Sequence, residues 1–204
     1  TQALASQNFT SSTDTHNTAV GFEAGNAVTT GVQNTIVGSQ AGDALTDADL
    51  NVAVGYQALS ADTKGSRNIA IGYSALFSQN FTSSTNSFNT AVGDSAGQQV
   101  TTGTLNTFIG GLSGDATTTG QFNTAVGYNS LTSNTTASFN CAIGMESLRE
   151  NTTGTNNTAV GGYQTLIVNT TGSNNTAVGR TALSANTTAD NNTAVGFESL
   201  KVNT

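Results

Sequence analysis

One five-residue phrase returns eleven times in this chain: Asn, then Thr or another β-branched or small residue, then usually Ala, then Val or Ile, then Gly. It starts at Asn17, Asn34, Asn51, Asn68, Asn89, Asn106, Asn123, Asn140, Asn157, Asn175 and Asn192, in steps of 17, 17, 17, 21, 17, 17, 17, 17, 18 and 17 residues. A short fixed period means one structural unit stacked on itself. Such a unit cannot bury its apolar side alone, and its neighbours complete the core. A length of 204 residues would by itself suggest one or two globular domains; the period instead implies one continuous array over residues 1–204. Thr1-Gln2-Ala3-Leu4 aligns with Tyr56-Gln57-Ala58-Leu59, Thr204 aligns with Thr187, and neither end carries an atypical capping unit. The expectation is therefore a segment of a longer fibrous protein.

Taking Asn as position 1, side chains alternate across a strand from there. Position 4 is Val or Ile in every repeat and is expected to form the coil core: Val20, Val37, Val54, Ile71, Val92, Ile109, Val126, Ile143, Val160, Val178 and Val195. Position 2 shares that face. It is Thr in eight repeats and Val52, Ile69 and Cys141 in the others, so it is expected to be buried as well. Position 3 points the opposite way and is expected to be an interchain face of small residues: Ala19, Ile36, Ala53, Ala70, Ala91, Phe108, Ala125, Ala142, Ala159, Ala177 and Ala194. Position 5 is always Gly (Gly21, Gly38, Gly55, Gly72, Gly93, Gly110, Gly127, Gly144, Gly161, Gly179 and Gly196), where the strand must turn or approach a neighbour closely.

Position 6 is aromatic in six repeats, at Phe22, Tyr56, Tyr73, Tyr128, Tyr163 and Phe197. Position 9 is Leu or Gly, and positions 12 to 15 read as Asn-Thr-Thr-Gly or a variant, which is turn chemistry. A 72-residue period overlies the shorter one: residues 2–21 and 74–93 share Gln-Asn-Phe-Thr-Ser-Ser-Thr, and Gly and Leu alternate in pairs at position 9. The four extra residues near Asn8 and Asn80 should form a protruding loop. The expected fold is all-β, a parallel β-solenoid (β-roll) of about eleven 17-residue coils, packed as a homotrimer through position 3. With strands ~4.8 Å apart, the rod is roughly 50 Å long.

At Asn68-Ile69-Ala70-Ile71-Gly72 and Cys141-Ala142-Ile143-Gly144 the chain resembles the head repeats of trimeric autotransporter adhesins. In that family a Val-Ala-Ile-Gly-like core builds a left-handed parallel β-roll, and three rolls pack side by side. Gly-Tyr-Gln-Ala-Leu at 55–59 is similar to repeats in bacteriophage tail fibres and tailspikes. The resemblance spans essentially the whole chain. It implies a structural or adhesive shaft or head segment of an extracellular fibre, on a bacterial surface or a virion, with the chain itself as partner and host-surface glycans or proteins as targets. A phage tail-fibre shaft and a ligand-binding solenoid for glycan or ice are the alternatives.

Composition narrows the chemistry. A net charge of -7, with Lys64, Arg67, Arg149, Arg180 and Lys201 scattered, disfavours nucleic acid, which needs clustered cations for its phosphates. No apolar run approaches the ~20 residues of a membrane span. His16 is the only histidine, Cys141 the only cysteine, and neither has partners at catalytic or ligand spacing. An enzyme or a cofactor is not expected. The one acidic cluster, Asp43, Asp47 and Asp49, is a weak calcium candidate that lacks the repeated pattern of calcium-binding rolls. Asn134-Thr135-Thr136 and Asn169-Thr170-Thr171 match glycan acceptors formally; the expected role of such Asn residues is a turn ladder, amide to amide between coils. Rows of Thr suggest ice binding only if exposed and flat, and position 2 is read as buried.

Overall fold

In a computed structural model, residues 2–9 and 14–202 are described. β-Branched residues on either side of a small one favour extended backbone, and each repeat forms one short strand at positions 2 to 4. The strands are β1 Thr18–Val20, β2 Thr35–Val37, β3 Val52–Val54, β4 Gly65–Ser66, β5 Ile69–Ile71, β6 Thr85–Asn86, β7 Thr90–Val92, β8 Thr107–Ile109, β9 Thr124–Val126, β10 Cys141–Met145, β11 Thr158–Tyr163, β12 Thr176–Val178 and β13 Thr193–Val195. Eleven of them form one parallel sheet in the order β1-β2-β3-β5-β7-β8-β9-β10-β11-β12-β13. Each strand pairs with equivalent residues one coil on: Thr18 with Thr35, Val54 with Ile71, Phe108 with Ala125. The fold is an all-β parallel solenoid with in-register coils of about 17 residues and no helix among the described residues.

The corners use left-handed backbone at three places per coil. In the third coil they are Leu50 just before Asn51 (φ 60°), Gln57 at position 7 (φ 55°) and Leu59 at position 9 (φ 54°). The glycine at position 5 is required by crowding. A Cβ on Gly55 would collide with the carbonyl oxygen of Gly72 one coil on, at a φ of +135°. Gly162, the extra residue of the 18-residue unit, is absorbed as a bulge, so that Tyr163 pairs with Met145 while Val160 still pairs with Ile143. The four-residue insertion after Gln79 is anchored where β6 pairs with β4. Its counterpart near Asn8 falls partly on residues 10–13, outside the described ones.

The interior is the reverse of the sequence expectation. Position 3 lies inside the coil: Ile36, Ala53, Ala70, Ala91, Phe108, Ala125, Ala142, Ala159 and Ala177 are fully buried, Ala194 nearly so, and Ala19 packs against them. Position 4, expected as core, points outward. Val20, Ile71, Ile109, Ile143, Val178 and Val195 are exposed, and Val37, Val54, Val92, Val126 and Val160 are half-buried. Ile109 is 40% exposed while Phe108 beside it is at 0%. The reason is volume. The coil is so thin that the strand contributes only a small residue to the interior, the remaining space being filled by Leu59, Leu76, Leu131, Leu148, Leu166 and Leu183 at position 9 and by Ala or Ser at position 8. The interchain role expected for the alanines is thereby overturned, because their side chains are enclosed within their own chain.

Candidate functional site: the outward strand face

Asn at position 1 is buried in all but the first and last coils and ties each coil to the one before it. Its backbone N–H donates to the Oδ1 of the Asn one coil earlier at every step, for example Asn140 to Asn123 at 3.0 Å and Asn34 to Asn17 at 2.8 Å. In most coils its own Nδ2 donates to the carbonyl fourteen residues on, as from Asn123 to Ala137 at 2.9 Å. A second buried ladder occupies position 12: Asn151 Nδ2 donates to Asn134 Oδ1, Asn169 to Asn151 and Asn186 to Asn169, at 3.2, 2.9 and 2.8 Å. The expected turn ladder is therefore present, and its Asn134 and Asn169 are buried with committed amides, so these triplets present no acceptor to a glycan. At position 13, Thr hydroxyls donate to the next coil's carbonyl, as from Thr46 to Thr63 at 3.0 Å.

Because these ladders fix the register, the outward side chains stand in ranks: Thr at position 2 and Val or Ile at position 4, none of them buried. Two exposed columns flank them. Position 6 carries Phe22, Tyr56, Tyr73, Tyr128, Met145 and Phe197, with Tyr56 and Tyr73 stacked at 5.6 Å. The residue just before each Asn forms the other, with Leu50, Phe88, Leu105, Phe122 and Phe139 exposed. Phe122 and Phe139 stack at 4.9 Å, and the Arg67 guanidinium lies 5.8 Å over the Phe88 ring. This second column was missed from sequence. Its signal was there: a large apolar residue recurs immediately before Asn in five repeats.

The other sequence candidates do not converge. Asp49 Oδ1 accepts the Val32 N–H at 2.8 Å, Asp47 faces Lys64 at 3.9 Å, and Asp43 lies near Glu23, its carboxyl held above the ordinary range by burial first and then by that charge. Among the described residues no group of His, Cys, Asp and Glu is gathered to hold a metal. His16 is exposed in the column before Asn. Cys141, expected to be buried, is half-buried on the outward face at position 2, and burial raises its thiol. Position-2 Thr also points outward, which removes the ground on which ice binding was set aside.

The site is thus a repeating surface and not a pocket. No protein-family model, no curated protein and no solved structure matches this chain. Over eleven strands ~4.8 Å apart, and about 20 Å wide with both flanking columns, the outward face covers on the order of 1,000 Å². The face is amphipathic, with a Thr rank beside a Val and Ile rank between the two flanking columns.

Proposed function

We propose that this chain is a structural and adhesive segment of an extracellular fibre, in which parallel copies bury their outward strand faces against one another. The observation that carries the reading is the rank of Val and Ile at position 4, outward in every coil. A face of about 1,000 Å² exceeds the ~800 Å² that each partner contributes to a standard stable interface. Three copies suit the dimensions. Five extended residues span about 13 Å, and a triangle of that side sets each sheet about 4 Å from the axis, close to half the ~10 Å spacing of packed sheets. Three copies are also what the resemblance to trimeric adhesin heads implies. The role is mechanical: a rigid spacer whose remaining turns and loops are displayed several-fold, so that weak contacts to a host surface add as avidity.

Ice binding is the second reading to be measured, since the Thr rank is outward. Leu50, Phe88 and Phe122 rise along one edge of that rank, and a rough hydrophobic ridge suits a protein partner better than a flat crystal surface. The test is light scattering with sedimentation on the chain at tens of micromolar, beside ice-recrystallisation and glycan-array assays. A folded trimer is expected. A stable folded monomer overturns the reading, and ice activity from that monomer would put the second in its place.

A further inference from the structure

We infer that in such an assembly the column before each Asn on one copy meets the position-6 column of the next copy at the same coil level. This rests on the side-by-side reading above and specifies its seam. The two columns lie on opposite edges of the strand face, separated by positions 1 to 5. They are ~20 Å apart within one chain at the strand rise and cannot touch there. In a closed ring of parallel rods with faces turned to the axis, each rod meets its neighbours through two different edges. One edge of each sheet then adjoins the opposite edge of the next.

At the third, fourth, seventh and eighth of the eleven levels, the residues that would meet are chemically matched. At the third coil Leu50 faces Tyr56, and at the seventh Phe122 faces Tyr128, apolar pairs that are all exposed in the single chain. At the fourth, Arg67 faces the exposed Tyr73 ring, a cation on an aromatic face. At the eighth, Phe139 faces Met145, a thioether against a ring. The fifth level sets Phe88, with the Arg67 guanidinium 5.8 Å over its ring, against Asp94. At the sixth, the larger Leu105 faces Gly111, a knob against a gap. Closed cyclic symmetry about the rod axis keeps equivalent residues of every copy at one height, so the two columns meet level by level.

The test is cysteine crosslinking in a Cys141→Thr background. The pair Phe122→Cys and Tyr128→Cys in one chain is too far apart to bridge internally, since a disulfide needs Cα atoms within about 7 Å. Mild oxidation should give covalent dimers and a closed covalent trimer on a denaturing gel. The control pair Phe122→Cys and Tyr73→Cys, three levels out of step or ~14 Å along the rod, should stay uncrosslinked. If the double variants remain assembled by light scattering and the control crosslinks while the level-matched pair does not, the seam is wrong and the side-by-side reading survives. If the Cys141→Thr parent is itself a folded monomer, the side-by-side reading fails and the seam with it.

Discussion

Phe108 stands where nine of the eleven repeats have Ala, and its ring occupies space that Leu fills elsewhere. A Cβ on Gly97 would meet that ring at 2.8 Å, and one on Gly114 would overlap it. Ile36 has the same relation to Gly25, at 2.9 Å. Position 3 and position 9 therefore share one volume: Ile36 and Phe108 each reach over the Gly of their own coil and of the coil before, and Leu at position 9 goes with Ala at position 3. Gly114→Leu should destabilise by about 1–3 kcal/mol or more through overpacking, and Phe108→Ala by about 3–5 kcal/mol through the cavity left. The double variant recreates the Ala125 and Leu131 pairing of the next coil, where Leu131 already adopts φ 55° beside the 57° of Gly114. In urea denaturation the double should recover most of the larger loss; purely additive losses would disprove the shared volume. The same inside position makes Ala125 sensitive to charge. Ala125→Asp places an unpaired carboxylate in the coil interior, a cost of several kcal/mol. Circular dichroism should show an unfolded or strongly destabilised chain, and a near-parental melting temperature would contradict the enclosed alanine row.

At the scale of the coil, buried Asn at position 1 joins strand to turn. Removing Asn123 orphans the Asn140 N–H and takes one of two donors from the Ala137 carbonyl. Buried unsatisfied groups cost about 1–3 kcal/mol each, so Asn123→Ala should lose roughly 2–3 kcal/mol. Thr153→Ala, on an exposed turn, should stay within about 0.5 kcal/mol of the parent; equal urea midpoints for the two variants would refute the ladder's role. The coil before the insertion departs from the pattern. Asp62 is fully buried there, its Oδ1 accepting the Gly65 and Phe81 N–H groups at 3.0 Å and its Oδ2 accepting Gln79 Nε2 at 2.6 Å. Burial outweighs these bonds and raises its carboxyl above the ordinary range. The folded chain then keeps a proton that the unfolded chain has lost. Stability contributed by this group is greatest below about pH 4, the unfolded carboxylate value, and falls as pH rises through the raised folded value. Asp62→Asn should flatten this fall in melting temperature. Asp43 and Asp115 are raised in the same direction by burial, so the difference between the two pH curves isolates Asp62, and superimposable slopes would exclude it.

For the whole molecule, each coil touches only its neighbours, and stability is close to a sum of coil and interface terms. The interior ladders keep the coils in register; the outward ranks leave a row of Val and Ile facing away from the interior. Val126 is half-buried in the single chain, so Val126→Asp should leave the coil folded and weaken the assembly, because the new charge must lose water only when copies meet. Sedimentation should show a folded monomer where the proposed side-by-side reading expects a trimeric parent. Loss of the β signature in a monomeric Val126→Asp chain would mean that the outward face is needed for coil folding itself.

The unbroken phase of Asn, Val or Ile, and Gly was enough to establish a parallel, in-register solenoid, its coil length and its corner positions, because a fixed period leaves stacking as the only way to bury the repeat. The turn ladder through Asn134, Asn151, Asn169 and Asn186 was also legible, from identical amides at identical phase. Which face of the strand is inside was not. Alternation separates positions 2 and 4 from position 3 without saying which set is enclosed, and hydrophobicity alone favours Val and Ile over Ala. The clue lay in Ile36 and Phe108 coinciding with Gly42 and Gly114, which means that positions 3 and 9 compete for one volume. Tertiary structure decided the matter through space. A 17-residue coil closes too tightly to hold two β-branched side chains per strand beside a Leu, so the small residue goes in and the larger ones are left facing out.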